Sequence, residues 1–275
     1  MAKGHPGNFV KFAGALGALI AASWALICCS SDPPNDAAAE NPSDAATVET
    51  SVDAALEPPA DAAVDAPIEV KGMAIMPLGD SITDGARSST ASGYRAELWK
   101  RMLGLAGYSV DFVGSLRSGQ LPDTDNEGHS GWRIDQITAN IDAWLATYKP
   151  NIVLLHIGTN DMARDYEVAT APNRLSALVD KIAADVPGVT IVVAQIVPTA
   201  DATLNKRVET FNKAIATMVQ SKVSQGKKVR LVDMYHALGK ADLSDTLHPN
   251  DSGYAKMASV WYSDLERALA VDAGK

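Results

Sequence analysis

Residues 74–83 read AIMPLGDSIT: an apolar run, Ala74 to Leu78, broken off by Gly79, Asp80 and Ser81. A short run of this kind, without polar alternation, is the pattern of a strand covered on both faces. Four more follow, at Ser109 to Val113, Ile152 to Ile157, Val189 to Val197 and Val229 to Val232. Segments of helical period separate them, at Tyr94 to Leu105, Ile134 to Tyr148, Asn173 to Asp185 and Leu204 to Lys222. A last helix is expected from Ser252 to Leu269, with Met257, Trp261, Leu265 and Leu269 on one face.

Strand and helix in alternation imply an α/β fold: a parallel sheet of five strands with helices on both faces, a doubly wound sandwich of three layers. Ligands of such sheets bind beyond the carboxyl ends of the strands. Gly79-Asp80-Ser81 falls there after the first strand, and Gly128-His129-Ser130-Gly131-Trp132 after the second. Gly158-Thr159-Asn160-Asp161 follows the third strand, and Asp245-Thr246-Leu247-His248-Pro249 follows the fifth. Singly, each is a weak signal, because Gly-Asp-Ser is commonly a turn and Asn-Asp a helix cap.

Together and in this order the four segments resemble the SGNH (GDSL-type) hydrolase family, named for Ser, Gly, Asn and His in four blocks. The corresponding residues are Ser81, Gly131, Asn160 and His248, and the resemblance covers residues 73–269. The fuller wording, EGHSGW, LLHIGTND and LHPNDSGY, is most similar to the acetylxylan-esterase-like branch of carbohydrate esterases. The resemblance implies a serine esterase that removes O-acyl groups, chiefly acetyl, from polysaccharides through an acyl-enzyme on Ser81, with no cofactor. A lipase, phospholipase or thioesterase of the same family is a second reading, less favoured because no apolar insertion resembles a lid. A third is a binding module that has lost activity; the complete set of Ser81, Asn160, Asp245 and His248 argues against it.

The chemistry can be argued from the residues as well. Acyl transfer needs an activated hydroxyl, a base for its proton, and donors for the developing oxyanion. With the strands in the flavodoxin-like order 2-1-3-4-5, the first and third are neighbours, so Ser81 and Asn160 lie about one strand spacing, ~4.8 Å, apart. Gly131 follows the second strand on the other side. The backbone N–H groups of Ser81 and Gly131 and the Asn160 amide can then converge on one oxygen, and Gly131 carries no side chain to obstruct that approach. His248 belongs to the far edge, roughly 14 Å away, but the loop Met234 to Leu247 is long enough to return it. Asp245, three residues earlier, can accept from the imidazole Nδ1–H and leave Nε2 facing Ser81. Because the residue two after Ser81 is Thr83, the G-x-S-x-G elbow is missing, which excludes the α/β-hydrolase fold.

The other candidates have plainer readings. His156, inside an apolar run, is expected to be a buried, hydrogen-bonded structural group, and His129 to shape the loop of Gly131. His236, with Asp233 at the same three-residue spacing, is the nearest rival to His248. Asp80 and Asp161 are expected to tie down backbone N–H groups of their own turns. Trp132 is either a sugar-stacking wall or core, and Arg87 and Arg133 are expected on the solvated surface. Asp245 and His248 lack a third ligand at a recognisable spacing, so no metal site is expected.

The chain ahead of the domain is of another kind. Lys3 and Lys11 precede an apolar stretch, FAGALGALIAASWALI, from Phe12 to Ile27, and Cys28 and Cys29 follow at once. Residues 1–29 therefore read as an export signal, too short for a comfortable membrane span. The ending Leu26-Ile27-Cys28-Cys29 resembles the lipobox of bacterial lipoproteins, with Cys29 as the candidate lipidation site. That implies a protein anchored by lipid at the cell envelope, or otherwise secreted. Residues 30–70 hold 10 acids, no bases and no aromatics, the composition of a disordered, self-repelling tether. The formal charge of -9 divides as +2 over residues 1–29, -10 over the tether and -1 over the domain, residues 71–275. A near-neutral domain argues against nucleic acid as a partner. The partner expected is an acylated carbohydrate or another small ester.

Overall fold

The computed structural model describes residues 70–105 and 107–272. The expected export signal with Cys29, and all of the expected tether but its last residue, lie outside the described residues. Among the described residues the strands are β1 (Lys71–Gly79), β2 (Tyr108–Phe112), β3 (Leu116–Arg117), β4 (Asp125–Gly128), β5 (Ile152–His156), β6 (Thr190–Ala194) and β7 (Val229–Val232). The helices are α1 (Ser81–Asp84), α2 (Tyr94–Met102), α3 (Ile134–Tyr148), α4 (Thr159–Ala163), α5 (Ala171–Asp185), α6 (Ala202–Ser224) and α7 (Asp251–Asp272).

The five expected strands are β1, β2, β5, β6 and β7, and they pair in parallel in the order β2-β1-β5-β6-β7. The sheet nevertheless departs from five parallel strands, for it has seven and is mixed. Strand β2 accompanies β1 only from Lys71 to Ile75. Beyond that point the same edge of β1 is taken up by β4, through Leu78↔Glu127 and Gly79↔Gly128, with β3 antiparallel to β4. An edge left open there would strand the backbone donors and acceptors of the residues leading into Ser81. The added strands thus close the sheet where the site is built.

Two apolar layers flank the sheet. On one face Ile137, Ile141 and Leu145 of α3, Leu175 and Leu178 of α5, and Val208, Phe211 and Ile215 of α6 pack together with Leu78, Val153 and Val193. On the other, Leu98 of α2 and Met257, Trp261 and Leu265 of α7 meet Ile75, Leu154 and Val192. Alternate residues of each strand face opposite layers, as a strand covered on both sides requires. The sheet is therefore packed on both faces, and its carboxyl ends carry the site.

Candidate active site

The turn after β1 is tightly built. Gly79 accepts no side chain, because a Cβ there would run into the carbonyl of His156 on β5 and the Thr83 hydroxyl. Asp80 caps α1, its Oδ1 accepting from Ile82 N at 3.0 Å, which is the role expected of it. Its side chain is wholly buried, and Oδ2 has no hydrogen-bond partner. Burial pushes the Asp80 carboxyl up to about 7; the Ile82 N–H and, from beyond bonding reach, the Thr159 hydroxyl offset only part of this. Ser81 follows as the first residue of α1.

The segment from β7 to α7 crosses back to Ser81. Asp242 organises its first half, accepting from Gly239 N at 2.8 Å, Ser252 Oγ at 3.2 Å and Lys256 Nζ at 2.6 Å. The second half is pinned by Ala200 N to Thr246 O at 3.0 Å and by Ser89 N to Asp251 Oδ1 at 2.9 Å. Tyr254 also donates to Ala86 O at 2.7 Å. Held in this way, His248 lies with Nε2 2.9 Å from Ser81 Oγ, and its Nδ1 is 3.0 Å from both oxygens of Asp245.

Asp245 settles the tautomer. Burial raises its carboxyl, but the N–H groups of Leu247 and His248 and the imidazole outweigh it and hold the carboxyl well below the usual carboxylate range. An ionised carboxylate only accepts, so Nδ1 carries the proton and Nε2 presents a lone pair to the Ser81 hydroxyl. A fourth donor went unforeseen: Arg87 Nε reaches Asp245 Oδ2 at 3.0 Å. The Arg87 guanidinium is mostly exposed, as expected, but one edge of it is engaged. The pairing spans 158 positions, and no local pattern announces it.

Gly131 and Asn160 meet beside this array. The loop after β4 is fastened to the Ser81 turn through His129 N to Gly79 O at 2.9 Å and Ser130 Oγ to Asp84 Oδ2 at 2.9 Å. Asn160 Nδ2 donates to Trp132 O at 3.0 Å, which joins the start of α4 to that loop. Gly131 has φ +82°, the left-handed region that glycine enters without cost, so its backbone conformation as well as its bareness calls for glycine. His129 supports the loop: its Nε2 lies 2.8 Å from buried Glu127, and its ring stacks against Trp132 (4.2 Å) and Trp144 (4.6 Å), which also meet each other. Trp132 is half-buried and spends one face on His129.

Three expectations need correction or refinement. Arg133 is not a solvated side chain: it grips Asp135 with two hydrogen bonds and lies over the Tyr166 ring at 4.0 Å. Asp161 does not serve its own turn but caps across to Ile134 N of α3 and binds Arg174. His236 pairs with Asp233 at 2.7 Å on the exposed surface, and no hydroxyl hydrogen-bonds its ring among the described residues. His156 is buried as expected, held neutral by a pKa lowered to about 4 through burial, with only a long 3.4 Å contact to Val197 N.

A parallel-stranded α/β core with a Ser-His-Asp array at its strand ends, and a Gly and an Asn beside the serine, defines a hydrolase of the SGNH type. Residues 78–256 match the family model described as GDSL-like Lipase/Acylhydrolase, and the chain belongs to that family. Among solved structures it is similar to a family 3 carbohydrate esterase from Clostridium thermocellum, with 40% identity and a TM-score of 0.65, covering 73% of this chain and 100% of that one. It is similar also to an acetyl esterase solved as a serine-to-alanine mutant with acetate ion (30% identity, TM-score 0.63, covering 72% and 98%). A multidomain esterase of Ruminococcus flavefaciens is 29% identical over 230 residues, 73% of this chain. The chain spans 61% and 29% of the lengths of the two curated relatives it matches.

Proposed function

We propose that this protein is a serine esterase that removes acetyl groups from acetylated carbohydrates, with Ser81 as nucleophile, His248 as base and Asp245 as its partner. One observation carries the reading: the unbroken hydrogen-bonded line from Asp245 through His248 to Ser81 Oγ. Ser81 Oγ attacks the ester carbonyl carbon as its proton passes to His248 Nε2. The resulting imidazolium faces the Asp245 carboxylate. The carbonyl oxygen takes up negative charge and is received by the N–H groups of Ser81 and Gly131 and the Asn160 amide. Collapse expels the sugar hydroxyl, which leaves with the proton from Nε2, and the acetyl group remains as an ester on Ser81. Water then repeats the attack, giving a proton to Nε2; collapse expels Ser81 Oγ, which takes that proton back, and acetic acid leaves and ionises to acetate. The acetyl and carbohydrate preferences rest on the similar esterases named above.

The test is active-site labelling together with turnover. A fluorophosphonate probe should label wild type at Ser81, and acetate should be released from a panel of acetylated polysaccharides. Ser81→Ala should abolish both while leaving the circular dichroism spectrum unchanged. Labelling that persists in the alanine variant would remove Ser81 as nucleophile.

A further inference from the structure

Four arginines lie around α4. Arg133 is bonded twice to Asp135, Arg174 binds Asp161 at 2.8 Å, and Arg207 lies 3.1 Å from Asp165 and donates to Met162 O. Arg87 is engaged by Asp245. Arg164 differs from all of them: among the described residues its guanidinium has neither an ion pair nor a hydrogen bond, and it is exposed.

Exposure alone would make Arg164 an ordinary solvated cation. Its position sets it apart. Arg164 ends α4 one turn after Asn160, with its backbone N–H bonded to Asn160 O, so the two side chains share a face. Its Nη2 would lie only 3.2 Å from a Cβ built on Gly131. A free guanidinium therefore lies against the loop that would receive the ester carbonyl, with its donors unclaimed. A neutral acetylated sugar has no use for that charge. The planar fork of a guanidinium matches a carboxylate, with two parallel charge-assisted hydrogen bonds.

We propose that Arg164 is an anion-recognition residue on the rim of the Ser81 centre, which selects acetyl esters carried beside a carboxylate, as on an O-acetylated uronic acid unit. The inference rests on the carbohydrate esterase reading and adds a substrate class to it. A carboxylate on the sugar unit that bears the acetyl group would pair with Arg164 while the ester carbonyl faces Gly131 and Asn160.

The experiment uses the full chain as wild type, Arg164→Gln and Arg164→Lys. Each is assayed on a matched pair of mono-O-acetylated sugars, methyl glucoside and methyl glucuronoside, with 4-nitrophenyl acetate alongside. Wild type should favour the uronoside in kcat/KM by about tenfold, the order expected of one charge-assisted pair at a solvated rim. Arg164→Gln should bring the ratio of the two kcat/KM values close to one. Arg164→Lys, a point charge without the fork, should give an intermediate ratio. Raised salt should erode the wild-type preference. A wild-type ratio near one overturns the inference. So does a ratio that survives Arg164→Gln, including the case in which both rates fall by the same factor, since that would make Arg164 part of the oxyanion environment or the fold. Turnover of both sugars without preference removes this inference alone; hydrolysis of 4-nitrophenyl acetate with neither sugar accepted removes the carbohydrate reading with it.

Discussion

Asp80→Asn should make this protein more stable above neutral pH, although it replaces the residue next to the proposed nucleophile. In the folded state burial raises the Asp80 carboxyl from 3.8 to about 7, so it stays protonated after the unfolded chain has lost that proton. Between these values the folded state binds one more proton than the unfolded state, and stability falls as pH rises. The stabilising contribution is complete below about 4 and is gone above about 7. The difference between the two pKa values amounts to about 4 kcal/mol at ~1.4 kcal/mol per unit. The amide introduced by the substitution stays neutral. Its oxygen can still accept from Ile82 N. Urea unfolding of both proteins from pH 4 to pH 8 is the assay. The stability difference should open by about 1.4 kcal/mol per unit from pH 4 to pH 7 and then level off. In a domain of this size that corresponds to a Tm gain on the order of 10 °C at pH 8. His156 acts with the opposite sign: its pKa, lowered from 6.5 to about 4, makes stability climb with pH across nearly the same window. The two slopes offset each other in wild type, and the climb should emerge in the variant. A stability difference that stays constant from pH 4 to pH 8 would refute the reasoning, and so would a variant less stable than wild type at pH 8.

Asn160→Ala should lower kcat by about 100- to 1000-fold through loss of one preorganised oxyanion donor. Steady-state kinetics beside a thermal melt will check it; a collapsed melt with Asn160→Asp still active would make Asn160 a structural residue. Asp245→Asn should cost about 10⁴-fold in kcat, because an amide can donate to Nδ1 and turn the imidazole to the wrong tautomer for Ser81. Single-turnover rates unchanged by that substitution would show that the carboxylate does not serve the imidazole.

Helix α3 begins and ends at the residues its hydrophobic period predicts, Ile134 and Tyr148, because four buried apolar residues on one face mark its whole length. The strands β5 and β6 were legible for a similar reason: both faces are covered, so Ile152–Leu155 and Ile191–Ala194 are continuous apolar runs. Strands β3 and β4 were not. They read Leu-Arg and Asp-Asn-Glu-Gly, and Asn126 and Glu127 of β4 are buried because side-chain and backbone partners satisfy them: Asn126 by Ser118 and Thr124, Glu127 by Ser115 and His129. Burial secured by hydrogen bonds leaves no hydrophobic period to detect.

The site divides in the same way. Ser81, Gly131, Asn160 and His248 could be singled out from the sequence because their four segments, in this order, resemble the SGNH family, and Asp245 by its place three residues before His248. Asp245 and His248 are three residues apart, so their pairing is a local matter. The meeting of His248 with Ser81 across 167 positions, the engagement of Asp245 by Arg87, and the unclaimed guanidinium of Arg164 beside Gly131 are tertiary facts. So is the raised pKa of Asp80, which depends on how completely the two layers and their loops exclude water from one carboxyl oxygen. Periodicity and turn chemistry act between neighbours along the chain and can be read from it. Solvent exclusion and the pairing of distant charges depend on which surfaces the finished fold brings together, and no stretch of sequence carries that alone.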